Sequence, residues 1–262
     1  MEVHHHSHAN HGKKNWKTYF WEFLMLFLAV FCGFLAEYQL EHKIERDRAK
    51  ELAKSFYQEL FHDSITAAIK VQNRLKQEAA LKHLIKYFRD SSLTDVSKSF
   101  AINFEYGISF RTPYQFEPRT VMLEQLKSSG SLRYFKNEEL QMLTGDLTVA
   151  IKNIYDRQEL ETQNRVLYIN PIVILHYDYD FDFEMKKNDK NIFEGVEQYE
   201  KSNDIIPFHL KHLEKIDRES IVNTLSFYAG NVVSATRQIH IQKYINTNAE
   251  MLKVLRKEYH LN

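Results

Sequence analysis

The hydrophobic positions of this chain change their period several times along its length, and each change predicts a change of element. Tyr19 to Tyr38, YFWEFLMLFLAVFCGFLAEY, is apolar all round rather than on one face. An α-helix of that length covers roughly 30 Å, the thickness of a bilayer's hydrocarbon core. Helices and closed barrels are the folds that satisfy their own backbone in lipid, and one apolar segment cannot close a barrel. Residues 19–38 therefore read as a transmembrane helix. From Glu37 to about Arg89 there is neither proline nor glycine. Leu40, Ile44, Leu52, Phe56, Leu60, Phe61, Ile65, Ala68, Ile69, Leu75, Leu84, Ile85 and Phe88 recur there at helical spacing. The span is thus expected to continue into a stalk helix over 39–90, with one break near Gln72 to Gln77. The early apolar positions step by four, so the stripe drifts around the helix and suits a bundle better than a strict coiled-coil seam.

Over 91–116 the period falls to two. Phe100, Ile102, Phe104, Tyr106, Ile108 and Phe110 alternate with Ala101, Asn103, Glu105, Gly107, Ser109 and Arg111. That is the pattern of a half-buried strand, and it predicts a short β ribbon or an extended loop laid on the helices. Helical spacing returns over 117–262. Pro118 suits the first turn of a helix ending at Ser128, with Gly130 as its stop. Asn137 is a natural N-cap, followed by Glu138 and Glu139 in the first turn and the stripe Leu140, Leu143, Leu147, Ile151, Ile154 and Tyr155. Pro171 is expected to close that helix. In HYDYDFDFE, the aromatics Tyr177, Tyr179, Phe181 and Phe183 alternate with Asp178, Asp180, Asp182 and Glu184. This suggests a second strand pairing with 100–110, or an acidic-aromatic docking loop. A polar loop comes next, with a short helix over Ile192 to Tyr199. Asp217 then caps a helix whose seam is Ile221, Leu225, Tyr228, Val232, Ala235 and Ile239, loosened near Gly230 and Asn231. Met251, Leu252, Leu255 and Tyr259 mark a final short helix.

The fold class is therefore mainly α: one N-terminal transmembrane helix running into a stalk and an irregular helical bundle, with a short β ribbon. Composition agrees, since 44% hydrophobic residues, 27% charged ones, seven glycines and four prolines leave few turns. Lys plus Arg and Asp plus Glu both number 35, so no basic field favours nucleic acid as a partner. The lone cysteine, Cys32, lies in the span and excludes a disulfide framework and a thiolate metal site.

Details of the apolar stretch refine its role. Trp16, Tyr19 and Trp21 at one end and Tyr38 at the other stand like an interfacial aromatic belt. Ala29, Gly33 and Ala36 share one face in a small-residue pattern that would let a second span approach closely. Phe31 and Phe34 occupy positions where a cleavable signal needs small residues, and Phe31 also argues against lipidation of Cys32, so the helix is expected to stay uncleaved. Lys13, Lys14 and Lys17 crowd the N-terminal boundary, whereas Lys43, Arg46, Arg48, Lys50 and Lys54 lie beyond the other end among acids. Proximity to the lipid favours an inside N-terminus in an inner (cytoplasmic) membrane, with the C-terminal domain periplasmic. Residues 1–18 carry His4, His5, His6, His8 and His11 and are expected to be a disordered tail.

The tail running into KNWKTYFWEFLMLFLAVFCGFLAEYQLE resembles the start of an uncharacterised family of small single-pass membrane-anchored proteins from Bacteroidota. The block Thr120 to Leu147, TVMLEQLKSSGSLRYFKNEELQMLTGDL, is similar to that family's recurring region, a helix ending at Ser-Ser-Gly before a short link to the next. The two blocks cover under a third of the chain. The resemblance implies a single-pass anchor with a helical domain, and it brings no activity and no functional residues.

Candidate chemistry is sparse. Glu59 and His62 form the Glu-x-x-His pair of di-iron bundles, which need a second copy. A calcium loop starting at Asp178 would want Gly at its sixth position and Glu at its twelfth, where this chain has Phe183 and Asp189. Ser128, Ser129 and Ser131 have neither the preceding strand nor the partners of a nucleophile elbow. The expectation is no catalytic, cofactor or metal residues, and partners comprising the lipid bilayer with a homo-oligomer or a membrane complex. The functional reading is an interaction or sensory module, with an accessory subunit of a membrane complex as the alternative and an acidic-site hydrolase behind both.

Overall fold

The computed structural model describes residues 15–186 and 191–261. The histidines of the tail, with Lys13 and Lys14, lie outside the described residues. Every regular element among those described is helical: α1 (Trp16–Asp90), α2 (Lys98–Phe104), α3 (Val121–Ser128), α4 (Glu138–Asn164), α5 (Asn170–His176), α6 (Tyr179–Met185), α7 (Ile192–Lys201), α8 (Arg218–Phe227) and α9 (Gln242–Tyr259). The chain divides into two units, Met1–Glu51 and Leu52–Asn262.

In the first unit, one helix is long and apolar enough to cross a membrane, and none of its apolar window is buried. Phe23, Phe27 and Phe31 stack along one side at i, i+4 spacing, their centroids 6.2 and 5.8 Å apart.

The second unit is a bundle with two apolar cores. One gathers Phe56, Leu60, Leu126, Leu147, Tyr244 and Leu255. The other gathers Leu84, Phe88, Phe100, Tyr106, Phe181 and Phe208. Helix α1 lines both, without the break expected near Gln72, and α4 lies along α9. Arg218 ends α1 by donating to the carbonyls of Phe88 and Ser91, both at 2.8 Å, which satisfies acceptors a helix C-terminus leaves open.

The β ribbon does not form. Ser97 accepts from the Phe100 amide at 3.1 Å and starts α2, and Glu105–Ser109 continues it as a π turn closed by Phe110 N–H to the Glu105 carbonyl at 2.9 Å. Alternation misleads here because Ala101, Glu105 and Gly107 are buried along with the aromatics. A helix enclosed on all sides has no polar face to reveal its period. The second strand fails likewise, because Tyr179–Met185 is a helix that buries Phe181 and Met185 one turn apart and leaves Tyr179 and Phe183 outside. Pro171 does not end the fourth helix; a π turn, Arg165–Ile169, carries it into α5. The final helix is no separate short piece, since Met251 to Tyr259 belong to α9. As expected, Asn137 and Asp217 cap α4 and α8, accepting from Leu140 and Ser220, and Asn191 caps α7 in the same way, accepting from Glu194. Gly130 lies just past α3 at φ 66°, a left-handed conformation suited to glycine.

Gly195 lets α7 lie directly on the end of α6, where a β-carbon would overlap the Met185 carbonyl oxygen. Gly195→Ala is expected to destabilise the bundle by about 1–3 kcal/mol, an overpacking penalty against backbone. The check is thermal unfolding of the full chain in nonionic detergent, with Gly145→Ala as control because its β-carbon meets open space.

Candidate functional site

Between the two cores the buried side of α1 turns polar. Arg74, Gln77 and Glu78 occupy the positions between Ala67 and Ala80 that apolar residues hold above and below. Arg74, fully buried, donates through Nη2 to Glu161 Oε2 at 2.9 Å and through Nε to the Tyr114 carbonyl at 3.0 Å. The other oxygen of Glu161 accepts from the Tyr228 hydroxyl at 3.3 Å, and that hydroxyl accepts from Arg165 Nη1 at 3.2 Å. Arg165 Nη2 then reaches the Ile108 carbonyl at 2.7 Å, at the end of the Glu105–Ser109 π turn. Glu78 closes the layer by holding Arg237 through both oxygens, at 2.6 and 3.0 Å.

Three π turns supply these groups. Arg165 opens one, Tyr228 opens Tyr228–Ser234, and Arg237 sits in Thr236–Ile241. A π turn bonds five residues back rather than four, and such turns concentrate at functional sites. The layer is also incompletely satisfied. Arg74 Nη1 and Gln77 Oε1 are buried without a hydrogen-bond partner, at a cost of about 1–3 kcal/mol for each such group. Burial raises the Tyr228 phenol to about 12, with Glu161 adding to the effect, so the hydroxyl keeps its proton and serves as donor.

The same helices hold an irregular segment in place. Lys70, Asn73 and Gln77 of α1 donate to the carbonyls of Thr112, Pro113 and Gly107. Gln158 of α4 pairs with both backbone groups of Phe116, at 2.8 and 2.9 Å. Asp63 accepts from the Arg119 amide at 2.8 Å, and both oxygens of Glu59 lie 3.1 Å from the Met122 amide. Thr120, the residue before α3, makes no side-chain cap, so Glu59 supplies from α1 the acceptor that this helix start requires. Side chains of α1 and α4 thus supplement the short Thr112–Tyr114 turn in satisfying the segment's backbone. Burial raises both Glu59 and Asp63 above the usual carboxylate range.

A cleft of about 410 Å³ opens beside Tyr228, lined by Asn164, Tyr168, Ile169, Asn223, Thr224, Phe227 and Tyr228. Its wall is aromatic and apolar with neutral hydrogen-bonding groups and no formal charge. Such a wall suits a small uncharged ligand with a planar part. Tyr228 belongs to both cleft and polar layer.

The residues singled out from sequence lie elsewhere. Trp16, Tyr19, Trp21 and Tyr38 are exposed on α1 of the first unit, as are Ala29, Gly33 and Ala36. Gly33 has open space where a β-carbon would stand. Of the Glu-x-x-His pair, Glu59 faces the start of α3 and His62 is exposed. Asp178 holds the 208–211 segment, accepting from the His209 amide at 2.7 Å and pairing with Lys211 at 2.8 Å. Among the described residues, no group of three or more His, Cys, Asp or Glu is placed to hold a metal ion. Sequence reasoning missed Arg74, Glu161, Arg165 and Arg237, which look like ordinary surface charges on amphipathic helices.

No protein-family model, curated protein or solved structure matches this chain.

Proposed function

We propose that the chain is a sensory module anchored in the inner membrane by one span, with its bundle on the periplasmic side, where it binds a small uncharged ligand beside Tyr228. One observation carries the reading: Tyr228 lines the cleft and also donates to Glu161, which is held by Arg74 of α1. Helix α1 is the element that contains the apolar stretch. A ligand that favours one arrangement of Tyr228 then shifts the population of arrangements around Arg74, provided its affinity for the two differs. The module works by binding, not turnover.

The test uses the full chain in phosphatidylcholine nanodiscs, with phenol and indole as probes and amide exchange as readout. Saturable protection of residues 223–228 is expected, together with a change in exchange at residues 70–78. Tyr228→Phe is expected to retain the first and abolish the second. No saturable protection, or protection without any change in α1, removes the reading.

The alternative is an accessory subunit of a membrane complex, favoured by Val166, Leu167, Tyr168 and Ile174, each more than half exposed on the outside of α5 and the π turn that leads into it. In that reading, spans meet through Ala29, Gly33 and Ala36. A stoichiometric partner recovered from membranes and lost in Leu167→Glu supports it over the first.

A further inference from the structure

We propose that a second cleft, along the seam of α1 and α9, binds a single-chain anionic amphiphile. Its charged head lies at Lys253, Arg256 and Lys257, and its apolar part lies over Phe61, Ile245 and Leu252. The cleft measures about 530 Å³ and is wholly within the bundle. Its three cations stand at i, i+3 and i+4 on α9, which places them on one face. No Asp or Glu lines it.

Of the carboxylates near the cleft, Glu250, one turn before Lys253, is exposed and outside its lining, and three others are engaged elsewhere. Glu59 is at the Met122 amide, Asp63 accepts from Tyr244 and the Arg119 amide, and Glu258 accepts from Asn137. Among the described residues, no carboxylate forms an ion pair with Lys253, Arg256 or Lys257. Arg256 is oriented by Tyr57, donating to its hydroxyl with the guanidinium 5.5 Å from the ring centroid. The cation cluster therefore faces the cleft with no carboxylate paired to it, whereas the floor beside it is apolar, with Phe61 half exposed.

Asn248 provides a third, independent feature. It lines the cleft yet is only 1% exposed; its amide nitrogen donates to the Leu60 carbonyl at 3.0 Å, and Oδ1 has no partner. A purely hydrocarbon occupant would leave that acceptor unpaired, so a ligand bearing a hydroxyl near its head is preferred. From Asn248 to Lys253 the helix rises about 7.5 Å, a gap that the lysine's flexible stem spans. A cleft of this size fits one acyl chain, consistent with small-molecule sites of about 300–1,000 Å³, and it is too small for a whole two-chain lipid.

The experiment uses the full chain in phosphatidylcholine nanodiscs at pH 8 and low salt, titrated with decanoate, 3-hydroxydecanoate, decanol and acetate, with empty nanodiscs subtracted. Decanoate is expected to bind saturably. Lys253→Gln with Lys257→Gln should weaken it about tenfold while leaving decanol unchanged, since two exposed charges each contribute modestly and decanol carries none. Both lysines are exposed and unpaired, so the double variant tests the site without touching the core. The 3-hydroxy acid should bind several-fold tighter than decanoate, and Asn248→Leu should erase that preference. Equal binding of decanoate by the parent and double variant overturns the proposal. So does acetate binding as tightly as decanoate, which would mark an ion site. Occupancy by phosphatidylglycerol in mixed nanodiscs with no uptake of decanoate would assign the cleft to bilayer lipid and reject the single-chain ligand. None of these outcomes depends on Tyr228 or its cleft.

Discussion

Replacing Arg74 with alanine is expected to lower the stability of the bundle by about 3–5 kcal/mol, the cost of leaving one member of a buried ion pair without its partner. Arg74 is fully buried, and its removal leaves Glu161 with only the 3.3 Å bond from Tyr228 and the Tyr114 carbonyl without its donor. The charge, not the volume, dominates. Accordingly, Arg74→Met combined with Glu161→Leu should recover most of the loss, because apolar residues of similar size avoid the desolvation that the ion pair must offset. Lys76→Ala serves as control. Its 2.8 Å pair with Glu200 is at least a third exposed on both sides, where such pairs contribute about 0–1 kcal/mol. The measurement is chemical unfolding of the full chain in nonionic micelles, monitored by circular dichroism. An Arg74→Ala loss no larger than that of Lys76→Ala would mean that the polar layer does not hold the two cores together.

The recovery expected of the apolar double variant bears on why the layer exists. If hydrophobic residues serve stability as well or better, the charges must provide something else, and a defined but adjustable register between the two cores is the best-attested use of such groups. The π turns point the same way. Each inserts one residue and rotates the downstream part of the helix by about 100° around its axis. The three insertions bring Arg165, Tyr228 and Arg237 into the polar layer with Arg74, Glu161 and Glu78.

That rotation also accounts for what the pattern of residues could and could not reveal. In α4 the regular stripe Leu140, Leu143, Leu147, Ile151 and Ile154 is buried throughout, because no insertion interrupts it. Along α8 the stripe holds through Ile221, Leu225, Tyr228 and Val232, but Ile239, its expected continuation, is 61% exposed. Two π turns intervene, and Ile241 and Tyr244 take the buried side instead. Helix α1 shows the other failure. Phe61, Ile65, Ile69 and Leu75 keep helical spacing yet lie outside, while Arg74, Gln77 and Glu78 are buried. Spacing reports a face, and a face is ambiguous when polar residues fill the buried one. The helix starts at Asn137 and Asp217 were legible because a cap is a local matter, decided within three residues. The trans cap from Glu59 to α3 was not, since 63 residues separate donor and acceptor.

The second large effect concerns Glu105 and pH. This carboxyl is fully buried at the start of the π turn that Arg165 holds, and burial pushes it up to about 7. The hydroxyls of Tyr177 and Ser109 oppose that rise by hydrogen bonding, the charge of Asp182 adds to it, and Lys186 opposes it. In the unfolded chain the group has its ordinary value of 4.5. Between those two values the fold holds a proton that the unfolded chain has released, so stability must fall as pH rises. The contribution is present in full below 4.5, is lost as pH passes through about 7, and amounts to about 3 kcal/mol at 1.36 kcal/mol per unit. Glu105→Gln, which carries no ionisable group, is expected to match the parent near pH 4 and to exceed it by up to about 3 kcal/mol at pH 8. Asp63 and Glu59 are shifted the same way, so the parent's slope will not vanish entirely in the variant. The informative quantity is the difference between the two unfolding profiles taken from pH 4 to pH 8. A difference that stays flat would mean that Glu105 titrates at its ordinary value and that its burial imposes no strain. A difference that opens between pH 5 and 7 would place a proton-sensitive group at the point where Arg165 grips the Ile108 carbonyl. The polar layer would then be weakest in the pH range where that carboxylate is charged.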